Sequence, residues 1–328
     1  MLGTRCVGVD VSADEITVAI EGRAESVTLS NDAAGHERLV RLLTRRGRAS
    51  RVCLEATGIY HLDLALALQR ARGIEIMVVN PSAARDFGRA LLLRSKTDRV
   101  DAGVLLEFAR RMPFAAWQPP AQEILDLRAI VRRIGALTLT RTQERNRLHA
   151  AGRSAELTSA IAWDIEAHLE HLAQSLERLQ QQALELVQAQ PELARRFERL
   201  VSVRGIAQTS ALRILAELAV LPDDMTPRQW VAHAGLDPRA LESGSSLHKP
   251  ARISKKGNRH LRAALYMPAM VAVREEPDVA RFYRKRLAGG LKPIQALVAV
   301  ERKLLHAIHG MWSSNRDFDG NKFCALNA

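Results

Sequence analysis

Asp10 stands inside the apolar run Val7-Gly8-Val9-Asp10-Val11, where a charge is costly unless something compensates it. A second acid, Glu55, follows the apolar triplet Val52-Cys53-Leu54, and Gly58 soon after leaves room for backbone or ligand to approach closely. Asp98 and Asp101 are three residues apart, a spacing that puts both on one face of a helix. If these segments meet, four carboxylates converge. Hard oxygen donors suit Mg2+ or Mn2+, and two such ions stabilise both the entering and the leaving oxygen of an in-line phosphoryl displacement. Each acid has an ordinary explanation as well. The first turn of a helix favours acids through its dipole, and an acid at a strand end can simply face water. The joint occurrence is what points to a metal-assisted site.

A second cluster, Glu242-Ser243-Gly244-Ser245-Ser246, offers three hydroxyls within four residues. A serine is a poor nucleophile until a base or a nearby cation activates it, and no histidine has an obvious activating spacing. A Gly/Ser run is equally the composition of a plain loop, and spacing does not choose among the three serines. Arg252, Lys255, Lys256, Arg259 and Arg262 follow closely enough to neutralise phosphates there. A further basic stretch, Arg132, Arg133, Arg141, Arg145 and Arg147, is either a nucleic-acid contact or a solvated helix face.

Lys plus Arg total 48 against 36 Asp plus Glu, a net charge of +12 that suggests a polyanionic partner. No window approaches the roughly 18 apolar residues of a spanning helix, and the start lacks a secretory core, so no membrane association is expected and the cytoplasm is the expected location. The three cysteines, Cys6, Cys53 and Cys324, have no metal-like spacing, which argues against both a zinc site and a disulfide framework.

The positioning elements follow from periodicity. Residues 5–11, 16–20 and 26–29 read as an antiparallel opening of three strands. A helix through Leu39, Leu42 and Leu43 comes next, then a strand at 52–54, a helix over 62–68 and a strand at 74–79, as in an α/β domain with a central sheet. Asn80-Pro81 ends that strand, and the stretch to Ser95 reads as irregular. Thr97 is placed to cap a helix over 98–111, with Pro113 just past its end. Beyond the prolines at 113, 119 and 120 a long helix begins. Ile165, Leu169, Leu172, Leu176, Leu179, Ala183 and Leu186 alternate by four and three, the seam of a coiled coil between chains or of a helical hairpin within one. Residues 200–218 outline two helices around a glycine-containing turn, possible phosphate-holding geometry although Ala207 occupies the second glycine place. The segment 237–258 reads as polar, with helices from His260 onward. The expected domains are 1–124, 125–192 and 193–328, an α/β domain followed by an all-α remainder.

The order of a first-strand Asp, a later strand-end Glu and paired helical Asp residues resembles the ribonuclease H-like (RuvC-like) fold of Holliday-junction resolvases. The strings VGVDV (7–11), CLEATGIY (53–60), VNP (79–81) and KTDRVDA (96–102) resemble the N-terminal signatures of the DEDD transposases of the insertion-sequence-110 family. AGLDPRALESGSSLHKPARISKKGNRHLRAALYMPAM (234–270) is similar to its second signature. The resemblance spans residues 5–310 and implies a transposase or recombinase acting on DNA, with Mg2+ on Asp10, Glu55, Asp98 and Asp101. It implies that Ser243 is the nucleophile, that the site is built from different subunits of a dimer or tetramer, and that a structured guide RNA selects the DNA sites. A RuvC-like nuclease using water, or a non-catalytic nucleic-acid-binding protein, are the alternatives.

Overall fold

The computed structural model describes residues 4–56, 58–92, 97–153, 159–243 and 247–325, with side chains except at 46, 240–251 and 324–325. The chain forms two compact units, Met1–Pro119 and Pro120–Ala328.

The first unit is built on a mixed sheet of strand order β3-β2-β1-β4-β5. β1 (Arg5–Val11), β2 (Glu15–Ile20) and β3 (Val27–Ser30) form the expected antiparallel meander, its first turn closed by Ser12 Oγ donating to Glu15 O at 2.8 Å. After α1 (Ala33–Thr44), β4 (Ser50–Glu55) pairs parallel to β1, and after α2 (Leu62–Gln69), β5 (Ile74–Val79) pairs parallel to β4. Strand alternation sorts the core. Val7, Val9, Val52, Leu54 and Ile76 are buried together with Leu39 and Leu43 of α1 and Leu64 and Leu68 of α2. Cys53, Met77 and Val79, on the other face, pack under α3 (Pro81–Ala90) and α4 (Asp98–Arg111) through Ala84, Leu105 and Phe108.

The helix α3 replaces the irregular stretch expected after residue 81. Asn80 accepts from Ser82 N at 2.8 Å and Pro81 takes the first helical position, so the pair that ends β5 also starts a helix.

In the second unit α5 (Gln122–Ala151) and α6 (Ser159–Ala189) form an antiparallel hairpin, with Glu144 late in α5 facing His168 early in α6 at 3.8 Å. Leu172, Leu176 and Ala183 of the α6 seam are buried in the same core as Leu127, Val131, Ile134 and Leu137 of α5. The seam that the spacing offered for pairing between chains is thus filled by the chain's own α5. α7 (Pro191–Ser202) and α8 (Gln208–Leu218) follow. Gly205 between them has φ +102° and lies so close to α10 (Arg259–Glu275) that a Cβ there would stand 2.7 Å from Ala272 N, so helix packing alone accounts for this glycine. α9 (Pro227–Ala234) leads into a two-stranded antiparallel ribbon of β6 (Pro238–Ser243) and β7 (Leu247–Ile253), within the segment the sequence marked only as polar. α11 (Pro277–Ala288), α12 (Pro293–Ser314) and α13 (Gly320–Ala325) complete the unit around Leu261, Leu265, Val300, Leu304 and Ile308. No helix among the described residues is long and apolar enough to cross a membrane.

Candidate active site

β1 and β4 run side by side in parallel, with Val9 opposite Leu54, so the next residues along, Asp10 and Glu55, lie at neighbouring positions at the same end of the sheet. Val7 and Val9 go into the α1/α2 core, and alternation therefore turns Gly8 and Asp10 to the face that α4 covers. Gly8 determines how closely α4 approaches: a Cβ there would run into Ala102 O and Leu106 N of the helix backbone. The helix therefore rests directly on the strand, and its first turn, carrying Asp98 and Asp101, is held over the Asp10 end of the sheet. Thr97 caps α4 as expected, accepting from Val100 N at 3.3 Å, while Arg99 Nε donates to Ser26 Oγ at 3.1 Å and ties the helix start to the edge of the meander.

The charges of the four acids act on one another. Burial first, and then the negative charges of Asp101, Asp98 and Glu55 in that order, push the Asp10 carboxyl up from 3.8 to about 6. The structure thus brings all four predicted acids into one field. Asp98 is exposed, while Asp10, Glu55 and Asp101 are partly covered. Among the described residues, no three His, Cys, Asp or Glu side chains stand close enough together to make a ready-made metal-binding group. The acids share a field without closing into a cage. Their chemistry nevertheless fits a divalent cation, since oxygen ligands of like charge are what such an ion would compensate. Cys53, beside Glu55 and fully buried, has its thiol pushed up to about 12 by burial and then by the Glu55 charge, so it is an inert core residue here.

Ser243 ends β6 opposite Leu247, at the outer end of the ribbon; its side chain is not described, and Ser245 and Ser246 lie outside the described residues. The root of the ribbon is fixed in detail. Ser254 N donates to Asp237 O at 2.9 Å and Ser254 Oγ to Asp237 Oδ1 at 2.5 Å, Lys255 N donates to Gly235 O at 3.0 Å, and Asn258 N to His233 O at 2.6 Å. Gly257 packs against the end of α9 so tightly that a Cβ would collide with His233 O.

Beneath the root lies a polar network that the sequence did not reveal. Glu217 of α8 is 2% exposed and receives Arg132 Nε at 2.7 Å and Nη2 at 3.0 Å, while Asn258 Nδ2 donates to the same carboxylate at 2.7 Å. Arg128 adds its charge at 3.4 Å. Burial alone would raise the Glu217 carboxyl, but these donors and charges hold it below the ordinary range. Asn258 in turn accepts from His260 N at 2.9 Å and Leu261 N at 3.1 Å, capping α10. Only the buried position of Glu217 in the apolar run of α8 could have flagged it.

The basic residues separate into two kinds. Arg252, Lys255, Lys256 and Arg259 are exposed, whereas Arg262 is partly buried and its Nη1 donates to Ala234 O at 2.6 Å. Of the second basic stretch, Arg132 belongs to the Glu217 network and Arg147 pairs with Glu144 at 2.5 Å, while Arg133 and Arg145 are exposed.

Residues 7–151 match a protein family of DEDD type associated with IS110 and described as "Transposase", and residues 197–284 match "Transposase IS116/IS110/IS902 family". The pilin gene-inverting protein of Moraxella bovis is 28% identical over 268 residues, 81% of each chain. That of Moraxella lacunata is 28% identical over the same length. The insertion element IS110 uncharacterized 43.6 kDa protein of Streptomyces coelicolor is 27% identical over 112 residues, 34% of this chain and 27% of that one.

Proposed function

Because this chain belongs to the IS110 family of transposases, enzymes that cut and rejoin DNA, we propose that it does so through a phosphoserine intermediate on Ser243, with Asp10, Glu55, Asp98 and Asp101 as the acidic half of the site. The single observation that carries this reading is the Asp10 carboxyl, pushed up to about 6 by burial first and then by the charges of three other acids supplied by two different elements. We read the sheet of order β3-β2-β1-β4-β5 as ribonuclease H-like on its topology, and the unit carrying the ribbon as the serine-bearing transposase domain.

In the proposed reaction the Ser243 hydroxyl attacks a DNA phosphorus, its proton leaves to a base, and the strand's bridging oxygen departs as a hydroxyl. A hydroxyl of a second strand then attacks the same phosphorus and expels Ser243. One phosphodiester is spent and one is made, so no high-energy cofactor is needed. Mg2+ or Mn2+, when bound by the four carboxylates, would neutralise charge at the entering and leaving oxygens. Arg252, Lys255, Lys256 and Arg259, exposed around the ribbon's root, are suited to hold the flanking phosphates. Inversion of a DNA segment, named for the Moraxella relatives, is one outcome of such an exchange. Selection of sites by a structured guide RNA, and assembly of the two halves of the site from different subunits, belong to the same proposal.

The test is denaturing electrophoresis and peptide mapping after incubation with Mg2+ on DNA carrying candidate element ends. A metal-dependent protein-DNA adduct at Ser243, lost in Ser243→Ala, is expected. Cleavage without any adduct would overturn the serine step and leave a hydrolytic nuclease acting through the acids alone.

A further inference from the structure

Away from the ribbon tip, the second unit has a concavity of about 890 Å³ whose wall is strongly cationic. Arg228 comes from the first turn of α9, Arg286 from α11, and Arg302, Lys303 and His306 from one stretch of α12, with Phe282 between them. None of its ten described lining residues is acidic. The cations are laid on aromatic faces: Arg286 lies 4.8 Å from the Phe282 centroid, and Lys303 Nζ lies 5.3 Å from Phe282 and 5.9 Å from Phe323. Among the described residues, Arg302 Nε is buried without a hydrogen-bond partner. Burial lowers the Arg302 guanidinium from its ordinary range, and Arg286 adds to this, with Asp237 at the ribbon root as the opposing charge. His306 is held low by burial and then by Arg302, Lys303, His309 and Arg228, so it remains a neutral ring among cations.

Gathering cations in a partly desolvated hollow is unfavourable unless an anion is expected there. Guanidinium groups present forked donors that match phosphate oxygens, and the positive end of α9 points the same way. We propose that this hollow is a binding site for a phosphodiester of a nucleic-acid strand, anchoring that strand on the α9/α11/α12 face of the second unit. Its link to Asp237 through Arg302 places the anchor in electrostatic communication with the root of the ribbon. A seated phosphate would take over part of the role Asp237 plays for Arg302. The site needs neither Ser243 nor a metal, so it stands or falls independently of the phosphoserine step.

The experiment uses the full chain with a chelator present, so that only binding is read. Fluorescence anisotropy is followed over a salt series for a labelled single-stranded DNA, an RNA of the same sequence and a duplex DNA. Arg302→Gln should weaken binding several-fold and reduce the slope of log affinity against log salt by about 0.7–0.9, the signature of one lost phosphate contact. Arg228→Gln, an exposed position that leaves the interior untouched, should act in the same direction, and Ser243→Ala should leave the slope as in wild type. An effect confined to the RNA probe assigns the anchored strand to RNA, and one confined to DNA probes assigns it to DNA. Unchanged slopes and affinities with all three probes, in both variants, would overturn the site.

Discussion

Arg132 and Glu217, 85 residues apart in sequence, meet as a two-pronged pair, Nε to Oε1 at 2.7 Å and Nη2 to Oε2 at 3.0 Å, with the carboxylate 2% exposed. The pair ties the long α5 to α8, and through Asn258 it reaches the cap of α10 just beyond the ribbon. Buried ion pairs are costly to break from one side, because the surviving charge is left without its partner. Arg132→Met should therefore cost about 3–5 kcal/mol. Chemical denaturation should show it as a shift of midpoint without a change of slope. A loss of under about 0.5 kcal/mol, the usual ceiling for a surface substitution, would mean that Arg128 and Asn258 suffice for Glu217.

Gly8 is expected to tolerate no side chain. Because the obstruction is the backbone of α4 at Ala102 and Leu106, there is no flexible group to yield. Gly8→Ala should destabilise the first unit by roughly 3 kcal/mol, at the upper end for overpacking, and should reduce DNA cleavage more than this loss explains, since the first turn of α4 is displaced from Asp10. Cleavage rates measured well below the melting temperature separate the two effects. A folded variant of wild-type rate would show that the contact does not set the site.

For Asp10 the folded carboxyl titrates at about 6 against 3.8 for the free group, so the native state binds its proton more tightly than the unfolded chain does. The native state is unpenalised below the unfolded value and loses stability as pH rises through about 6. Asp10→Asn should remove about 1–2 kcal/mol of penalty after allowance for solvent screening, raising the melting temperature at pH 8 in chelator and leaving it unchanged near pH 4, while abolishing cleavage. Mg2+ or Mn2+ should raise the wild-type melting temperature at pH 8 and have little effect on the variant. Equal melting of the two proteins at pH 8 would contradict the crowding of like charges.

Glu301, 3% exposed on α12, offers a pH test in the other unit. Burial raises its carboxyl from 4.5 to about 7, with Arg262 as the opposing influence. Stability from the protonated form is complete below 4.5 and is lost as pH rises through 7. Glu301→Gln should make the second unit more stable at pH 8 by roughly 3 kcal/mol or less, with no gain at pH 4. The comparison of melting curves at those two values decides it.

Strand alternation and the cap at Thr97 were legible in the sequence because they depend on neighbours within one turn or one pleat. That Asp10 and Glu55 lie at one end of the sheet, with Asp98 and Asp101 in the first turn of a helix, followed from strongly patterned elements; that the four hold a metal remains a proposal. Gly8 was not legible: nothing local distinguishes a glycine that breaks a strand from one on which a helix lies. Asn80-Pro81 was read as a stop when it is also a start, since the same pair serves both ends. The ribbon 238–253 escaped notice because a two-stranded ribbon pairs through its backbone and needs no apolar alternation to do so. Glu217 and Arg132 lie on helices far apart in sequence, and only the fold brings them together.

The ribbon behaves mechanically as a cantilever, clamped at Asp237, Gly235 and His233 and carrying Ser243 near its far end. Strands of six or so residues reach about 20 Å. A rotation of roughly 3° at the clamp then sweeps the proposed nucleophile through about 1 Å, a misplacement that can cost on the order of 100-fold in rate. Aim would then be set at the root and the proposed attack at the tip, so that a residue such as Asn258 could misdirect Ser243 without approaching it.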